Sequence, residues 1–234
     1  MKTNCFAIAI DGPVGVGKST IAKLVANLLS ITYIDTGAMY RTVALYCLQN
    51  NISNPEGLDG INISLKFEDG AQLVFLNGNN VTDLLRTQEV SAMASQVIAV
   101  NPVIREKLVA MQQEMAQATD VVVMDGRDIG SHVLPWAQLK IYLDATPEVR
   151  AKRRAAEQES KGEPSDYKQI YDETIARDEI DKNRELNPLI KMDDAICIDT
   201  SQLTPDEVAE TIVNEAAVKF VSFVRGLLKC STNL

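Results

Sequence analysis

The sequence predicts an α/β fold: a parallel sheet wrapped on both faces by helices and interrupted by one small antiparallel insert. Three observations carry this reading. Short apolar runs of strand length alternate with segments whose apolar residues recur at helical spacing, the order that builds a parallel sheet. A glycine-rich turn, Asp11-Gly12-Pro13-Val14-Gly15-Val16-Gly17-Lys18-Ser19, stands between the first apolar run and the first helical pattern. Ile61 to Phe67 changes period and alternates strictly between apolar and polar residues, as a half-buried strand does.

Taken in order, Cys5–Ile10 is a short apolar run bounded by Asp-Gly and reads as a buried strand. Ser19–Ser30 carries Ile21, Leu24, Val25, Leu28 and Leu29 at helical spacing. Tyr33–Asp35 reads as a strand and Ala38–Asn50 as a helix. Ile61–Phe67, the turn Glu68-Asp69-Gly70 and Leu73–Leu76 form an antiparallel insert reaching to about Val81. Helical patterns resume over Thr87–Val100 and from Pro102 to about Ala118. Val121–Met124 and Ile141–Leu143 are further strands, and Thr146-Pro147 opens an arginine-rich helix. Lys161–Asp166 is polar, with Gly162 and Pro164, and reads as a mobile loop before a helix over Tyr167–Arg184. Ala195–Ile198 is the last strand. Thr204-Pro205-Asp206-Glu207 is a capping box that starts a final helix through about Leu227.

Composition narrows the functions available. The chain has 234 residues, 46% of them apolar, enough for one well-cored domain. A formal net charge of −9 argues against non-specific binding to nucleic acid or anionic membranes, so a polyanionic ligand must meet a local basic cluster. Cys5, Cys47, Cys197 and Cys230 are widely spaced without a C-x-x-C pair. They read as reduced, mostly buried thiols of a cytoplasmic protein, not as a zinc site or a disulfide framework. No apolar run approaches the roughly 20 residues that span a bilayer, and no signal peptide is expected. The lone His132 and Trp136 are expected to be structural.

Gly12-x-x-x-x-Gly17-Lys18-Ser19, between a strand and a helix, is the P-loop pattern. Its glycines let successive backbone N–H groups turn toward phosphate oxygens, and the helix N-terminus adds a positive dipole end. Residues Gly12, Pro13, Val14, Gly15, Val16, Gly17, Lys18, Ser19 and Thr20 are therefore the candidate ATP-binding set. Lys18 supplies a mobile charge for the β and γ phosphates and is expected to face solvent without ligand. Ser19 is the candidate Mg²⁺ ligand. A signalling GTPase would need D-x-x-G and N-K-x-D motifs, and a transport ATPase L-S-G-G-Q; none occurs.

Clustered arginines stand out in so acidic a chain: Arg150, Arg153 and Arg154, Arg177 and Arg184, and single ones at Arg41, Arg105 and Arg127. Phosphoryl transfer between nucleotides brings several phosphates together, and catalysis is then mostly positioning and charge neutralisation. Arg177, Asp181 and Arg184 fall at i, i+4 and i+7, on one helix face, as a phosphate-binding set or a solvated ion-pair ladder. Arg150 and Arg153 or Arg154 also share a face. Their like charges are expected to hold a lid open until phosphates bind. Arg127 and Asp128 follow a buried strand, at the sheet edge where ligands bind in such folds; the alternative is a local Asp–Arg pair in a tight turn.

Together these residues resemble the bacterial cytidylate kinase family. The resemblance runs from Ala9 to about Glu215, through I-D-G-P-V-G-V-G-K-S, Y-I-D-T-G-A-M-Y-R, L-R-T-Q-E-V-S-A-M-A-S-Q-V, D-G-R-D-I-G and R-D-E-I-D-K-N-R. It implies a P-loop parallel sheet core (about 1–35, 101–148 and 185–234), a small β-containing monophosphate-binding lobe (about 36–100, with its β insert at 61–81) and a helical lid (about 149–184). It implies transfer of the ATP γ-phosphate, with Mg²⁺, to CMP or dCMP in a cytoplasmic monomer that binds neither nucleic acid polymers nor membranes. Ser95, Arg105 and Asp128 would read the cytosine, and Arg177 and Asp181 would hold the ribose. Arg41, Arg127 and Arg184 would hold the acceptor phosphate, with Thr36 and Tyr40 in the same site. Lys18, Arg127, Arg184 and Arg153 would act on the phosphates in transfer. A kinase for another nucleoside monophosphate is the alternative within the same chemistry, and a non-catalytic nucleotide-binding switch the alternative outside it.

Overall fold

The computed structural model describes residues 4–68, 71–160, 162 and 164–231. Its strands are β1 (Phe6–Asp11), β2 (Thr32–Asp35), β3 (Ile63–Glu68), β4 (Ala71–Leu76), β5 (Asn79–Asn80), β6 (Val121–Gly126), β7 (Leu139–Asp144) and β8 (Ile196–Asp199). The helices are α1 (Lys18–Leu29), α2 (Thr36–Gln49), α3 (Gln88–Met93), α4 (Pro102–Gln117), α5 (Pro147–Ser160), α6 (Tyr167–Asn183) and α7 (Pro205–Ser231).

The main sheet has the order β2-β6-β1-β7-β8, with each neighbouring pair parallel. β1 lies at its centre and is buried along its whole length, which is why it reads as an unbroken apolar run. Its side chains alternate between two cores. Phe6, Ile8 and Ile10 face α1 and α7, while Ala7 and Ala9 join Ile34, Met124 and Leu134 on the other face. The register sets Ile10 beside Asp125, and Asp35 beside Asp125 on the other side, so the carboxyl ends of β1, β2 and β6 finish together. A second sheet, β3-β4-β5, is antiparallel and packs with α2, α3 and α4 around its own core, including Met39, Ile63, Val74 and Ile104.

The helix starts follow from short polar side chains. Asp35, Thr87, Asn101 and Asp166 cap α2, α3, α4 and α6, and Pro102 occupies the first turn of α4. The Thr204–Glu207 box closes reciprocally: the Thr204 N–H donates to Glu207 Oε2 at 2.8 Å, and the Glu207 N–H donates to Thr204 Oγ1 at 3.3 Å.

Several expectations are corrected. The segment 87–100 is not one helix; α3 is followed by a π-helical turn, Ala94–Ile98. A second π-helical turn, Ile129–Val133, follows β6. α6 ends at Asn183, and Arg184 is extended, so Arg184 does not continue the face of Arg177 and Asp181. α7 runs on to Ser231, and the stretch after Lys219 has a clear role: the rings of Phe220 and Phe223 meet Phe6 edge-on, centroids 5.2 and 5.6 Å away. Cys5 and Cys47 are buried but Cys197 is exposed. Asp69 and Gly70 of the expected insert turn, Lys161 and Glu163 of the expected loop, and the Cys230 side chain lie outside the described residues.

Where β1 gives way to the P-loop, the chain passes hard against β7. Gly12 has φ +152°, and a Cβ there would stand 2.2 Å from the Leu143 carbonyl oxygen. Gly12→Ala is therefore expected to cost about 2 kcal/mol or more, roughly 4–8 °C in Tm for a chain of this size. Gly226 lies on the exposed face of α7, and a Cβ there would meet nothing within 4 Å, so Gly226→Ala is expected to raise stability instead. Thermal unfolding of the two variants against the parent checks both signs.

Candidate functional site

The P-loop joins β1 to α1, and Gly15 and Gly17 hold positive φ of 75° and 93° within it. Lys18 begins α1 and folds back, its Nζ donating to the Pro13 carbonyl at 2.7 Å. It is buried, not solvent-facing as expected. Burial, reinforced by Arg127, pushes its pKa well below the ordinary lysine value. Ser19 Oγ donates to Asp125 Oδ2 at 3.1 Å, and the Tyr33 hydroxyl donates to Asp125 Oδ1 at 2.7 Å. Burial raises the Asp125 pKa, with Asp35 adding to the effect. Thr36 Oγ1 donates to the Asp125 carbonyl at 2.7 Å, which fixes the start of α2 against β6.

Two cavities meet above this edge. The larger, about 560 Å³, is bounded by Val14, Gly15, Val16, Gly17 and Thr20, by Arg153 and Arg154 of α5, and by Arg41, Arg86 and Arg177. The smaller, about 90 Å³, is lined by Thr36, Tyr40, Arg41, Ser95, Arg105, Arg127, Asp128, Arg177, Asp181 and Arg184. Those are the ten residues that the resemblance assigns to the monophosphate. Arg41, Ser91 and Arg177 line both cavities and mark where they join.

The floor of the smaller cavity is a chain of charge pairs. Asp128 receives Arg105 Nη2 on one oxygen and faces Arg184 Nη2 at 3.2 Å on the other. Arg127 is paired elsewhere: its Nε donates to Asp181 Oδ2 at 2.6 Å, so the alternative of a local Arg127–Asp128 turn pair falls. Burial works to raise the Asp181 pKa, but Arg127 outweighs it and holds the carboxyl below its ordinary value. Arg105 is buried, donates to the Ala99 carbonyl at 3.1 Å, and lies over the Tyr40 ring at 5.4 Å. Ser95, on the π-helical turn, commits its hydroxyl proton to the Ser91 and Ala92 carbonyls and leaves its lone pairs free. Arg184 reaches this group from outside the helix, anchored by its Nε on the Asn187 carbonyl.

At the junction, buried donors lack acceptors. Arg41 Nε and Arg177 Nε have no hydrogen-bond partner. Burial, with Arg127, Arg154 and Arg41 close by, lowers the Arg177 pKa to about 10. Orphaned guanidinium donors of this kind call for an anion with several acceptor oxygens.

The three α5 arginines divide. Arg150 is buried and turned away from the cavity; it forks onto Asp178 and donates to the Val14 and Ala145 carbonyls, bracing the P-loop from behind. Arg153 bonds the Thr200 carbonyl and hydroxyl, and Arg154 lies 3.7 Å from Glu173. Of the charges expected to be unpaired, Arg150 and Arg154 face carboxylates, while Arg153 has only the neutral oxygens of Thr200. His132 is exposed, and Trp136 packs half-buried on the sheet.

Sequence reasoning missed Asp35, Asp125, Asp11 and Arg86. The first three end apolar strands at the carboxyl edge, the same signal that singled out Asp128. Asp35 caps α2 and takes Arg41 Nη2 at 3.0 Å. Asp11 accepts from the Ile129 and Gly130 amides at 2.8 and 2.7 Å, and so fixes the turn that follows Asp128. Arg86 stands within the L-R-T-Q-E-V landmark, but its charge alone gave it no role.

A family model described as cytidylate kinase matches residues 8–218 of the chain. A cytidylate kinase of Caldicellulosiruptor bescii is 52% identical over 212 residues, 88% of this chain and 93% of its own length. One from Bacillus cereus is 47% identical over 214 residues, 89% and 94% of the two chains. One from Oceanobacillus iheyensis is 47% identical over 215 residues, 89% and 92%. Among solved structures, an uncharacterized protein from Eubacterium ventriosum aligns over 91% of this chain and 98% of its own, with 15% identity and a TM-score of 0.50, a likeness of fold alone.

Burial pushes the Asp11 carboxyl up from its usual 3.8 to about 6, against the pull of its two amide donors. A folded-state pKa above the unfolded one means that this group favours the fold most below pH 3.8 and that the contribution fades as pH rises through about 6. Carboxyl-carbon NMR is expected to show Asp11 titrating near pH 6 in the folded protein. A midpoint near 3.8 would mean that solvent reaches it.

Proposed function

The chain belongs to the cytidylate kinase family, and we propose that it transfers the γ-phosphate of ATP to CMP and dCMP, giving ADP with CDP or dCDP. One observation carries the reading: a small cavity floored by Asp128, Arg105 and Arg184 opens, through Arg41 and Arg177, into a larger one bounded by the P-loop. In this reading a monophosphate sits in the first and a triphosphate in the second, with their phosphates meeting at the junction.

Cytosine offers an N4 amino donor beside the N3 and O2 acceptors. Asp128 accepts from N4 on the oxygen that Arg184 vacates, and Arg105 donates to N3 or O2, with Ser95 Oγ alongside. Uracil reverses the pattern at positions 3 and 4 and sets O4 against the carboxylate. Arg177 and Asp181 hold the ribose. Arg41, Arg127 and Arg184 hold the acceptor phosphate, exchanging their present acidic partners for its oxygens. The P-loop amides, Thr20 and Arg153 hold the donor, and Lys18 leaves the Pro13 carbonyl for the donor phosphates. No general base is needed, because the acceptor phosphate is already largely a dianion near pH 7. The enzyme's work is alignment in line and charge neutralisation.

Hydroxyl and carboxylate oxygens are the donor set a hard divalent cation takes, and Ser19 Oγ and Asp125 Oδ2 lie side by side, 3.1 Å apart. These two residues would hold Mg²⁺, which would supply charge neutralisation to the donor phosphates. In the same reading the core (about 1–35, 101–148 and 185–234) carries the P-loop, residues 36–100 form the monophosphate lobe, and 149–184 form a lid. No helix among the described residues is long and apolar enough to cross a membrane. A cytoplasmic monomer acting on free nucleotides completes the proposal.

ADP release with ATP, Mg²⁺ and a panel of monophosphates tests it. Turnover is expected with CMP and dCMP and to be far slower with AMP or UMP. Fastest turnover with AMP or UMP would replace the substrate, and none with any acceptor would overturn the kinase reading. Base choice is tested separately. Buried polar pairing discriminates by about 10⁴-fold or more, so Asp128→Asn is expected to shrink the CMP to UMP ratio of kcat/KM at least about tenfold. An unchanged ratio in a folded variant would leave base reading to Arg105 and Ser95.

A further inference from the structure

Arg86 has no part in the assignments above, yet its placement is unlike that of a surface arginine. It lies between the 3₁₀ turn Thr82–Leu84 and Thr87, the cap of α3, at the root of the β insert. Its side chain is 58% exposed, and its Nη2 stands 3.5 Å from Asp35 Oδ2. That carboxylate already accepts from the Ala38 amide at 2.9 Å and from Arg41 Nη2 at 3.0 and 3.2 Å. Arg86 is therefore the outermost and longest of its partners. An exposed pair of this length holds little. The insert is secured to the same point by a neutral bond instead, the Asp35 amide donating to Gln72 Oε1 at 2.8 Å. Arg86 can swing free without releasing the insert.

It would swing into the larger cavity, which it lines together with Arg41, Arg153, Arg154 and Arg177. Arg41 lines both cavities, whereas Arg86 lines the larger and not the smaller. Arg86 thus stands on the donor side of Arg41, beside the junction. A phosphoryl group offers three strong acceptor oxygens, against one carboxylate shared among three donors.

We propose that Arg86 is a further substrate-contact residue: it leaves Asp35 and grips the phosphoryl group in transit. The proposal rests on the kinase reading. In that step the bond from the γ-phosphorus to the ADP bridging oxygen breaks, and ADP keeps the electron pair. A new bond forms to an oxygen of the acceptor phosphate. Arg86 exchanges no proton and neutralises charge on the equatorial oxygens, where it is spread in the transition state.

The test uses Arg86→Gln and Arg86→Lys in the full chain, reading kcat, both KM values, Tm and the Kd of a bisubstrate analogue in which five phosphates join adenosine to cytidine. For Arg86→Gln, kcat is expected to fall about a hundredfold, the scale for losing one transition-state donor, and analogue affinity at least about tenfold. CMP KM should change less than about threefold and Tm less than about 2 °C. Arg86→Lys should recover part of the kcat. Parental kcat and analogue affinity in Arg86→Gln would overturn the proposal. So would a loss confined to CMP KM, or one that tracks a fall in Tm, because either would make Arg86 an anchor of the insert. Absence of CMP turnover in the parent would strike the kinase reading and this proposal together; turnover in the parent with no effect in Arg86→Gln strikes Arg86 alone.

Discussion

The carboxyl edge of the main sheet depends on keeping three buried carboxylates supplied with donors. Asp11, Asp35 and Asp125 finish β1, β2 and β6 side by side, and each is nearly sealed from water. A buried charge without partners is costly, so each carboxylate dictates what lies around it. Asp11 takes two amides and thereby shapes the turn beyond Asp128. Asp35 takes the Ala38 amide in the first turn of α2 and gathers two arginines. Asp125 takes the hydroxyls of Ser19 and Tyr33 and so ties α1 to β2. The P-loop helix and the turn beside the small cavity are each attached to the core through one of these acids.

The same logic extends to the cations. In the unliganded molecule Arg105 and Arg184 have Asp128, Arg127 has Asp181, Arg41 has Asp35, and Arg150 has Asp178. Acids within the fold compensate these arginines, which lets an acidic protein collect them in one place. Arg177 has no such partner among the described residues: burial depresses its pKa, and its Nε is orphaned at the junction. It is the place where the unliganded fold leaves its positive charge least compensated.

Sequence reading reached the elements because periodicity reports which face is buried: β1, β6, α1 and α4 fall within a few residues of their expected bounds. It missed the π-helical turns at Ala94–Ile98 and Ile129–Val133, since one widened turn leaves no period behind. Those turns aim Ser95 and follow Asp128, so the site's fine geometry was hidden where the sequence was mute. Motif resemblance, not spacing, gathered the ten residues of the small cavity. Spacing misled at Arg184, which lies beyond the end of α6, and at Arg150, whose side chain faces the back of the P-loop while Arg153 and Arg154 face its front. Residue type says that an arginine wants an anion; only the packed structure says whether Asp178 has already supplied one.

The position of β1 bears on how the chain is made. It precedes every other described element in the chain, yet Phe6 pairs with the strand that begins at Val121, and its ring is met by Phe220 and Phe223 of α7. At ordinary translation speeds the strand waits on the order of ten seconds for its first sheet neighbour, and longer for the helix that covers it. During that interval a strand that is buried along its whole length in the finished fold has both edges unpaired. In that interval its apolar face has only α1, which follows it directly in the chain, to pack against, because α7 completes the same core from the far end of the described chain.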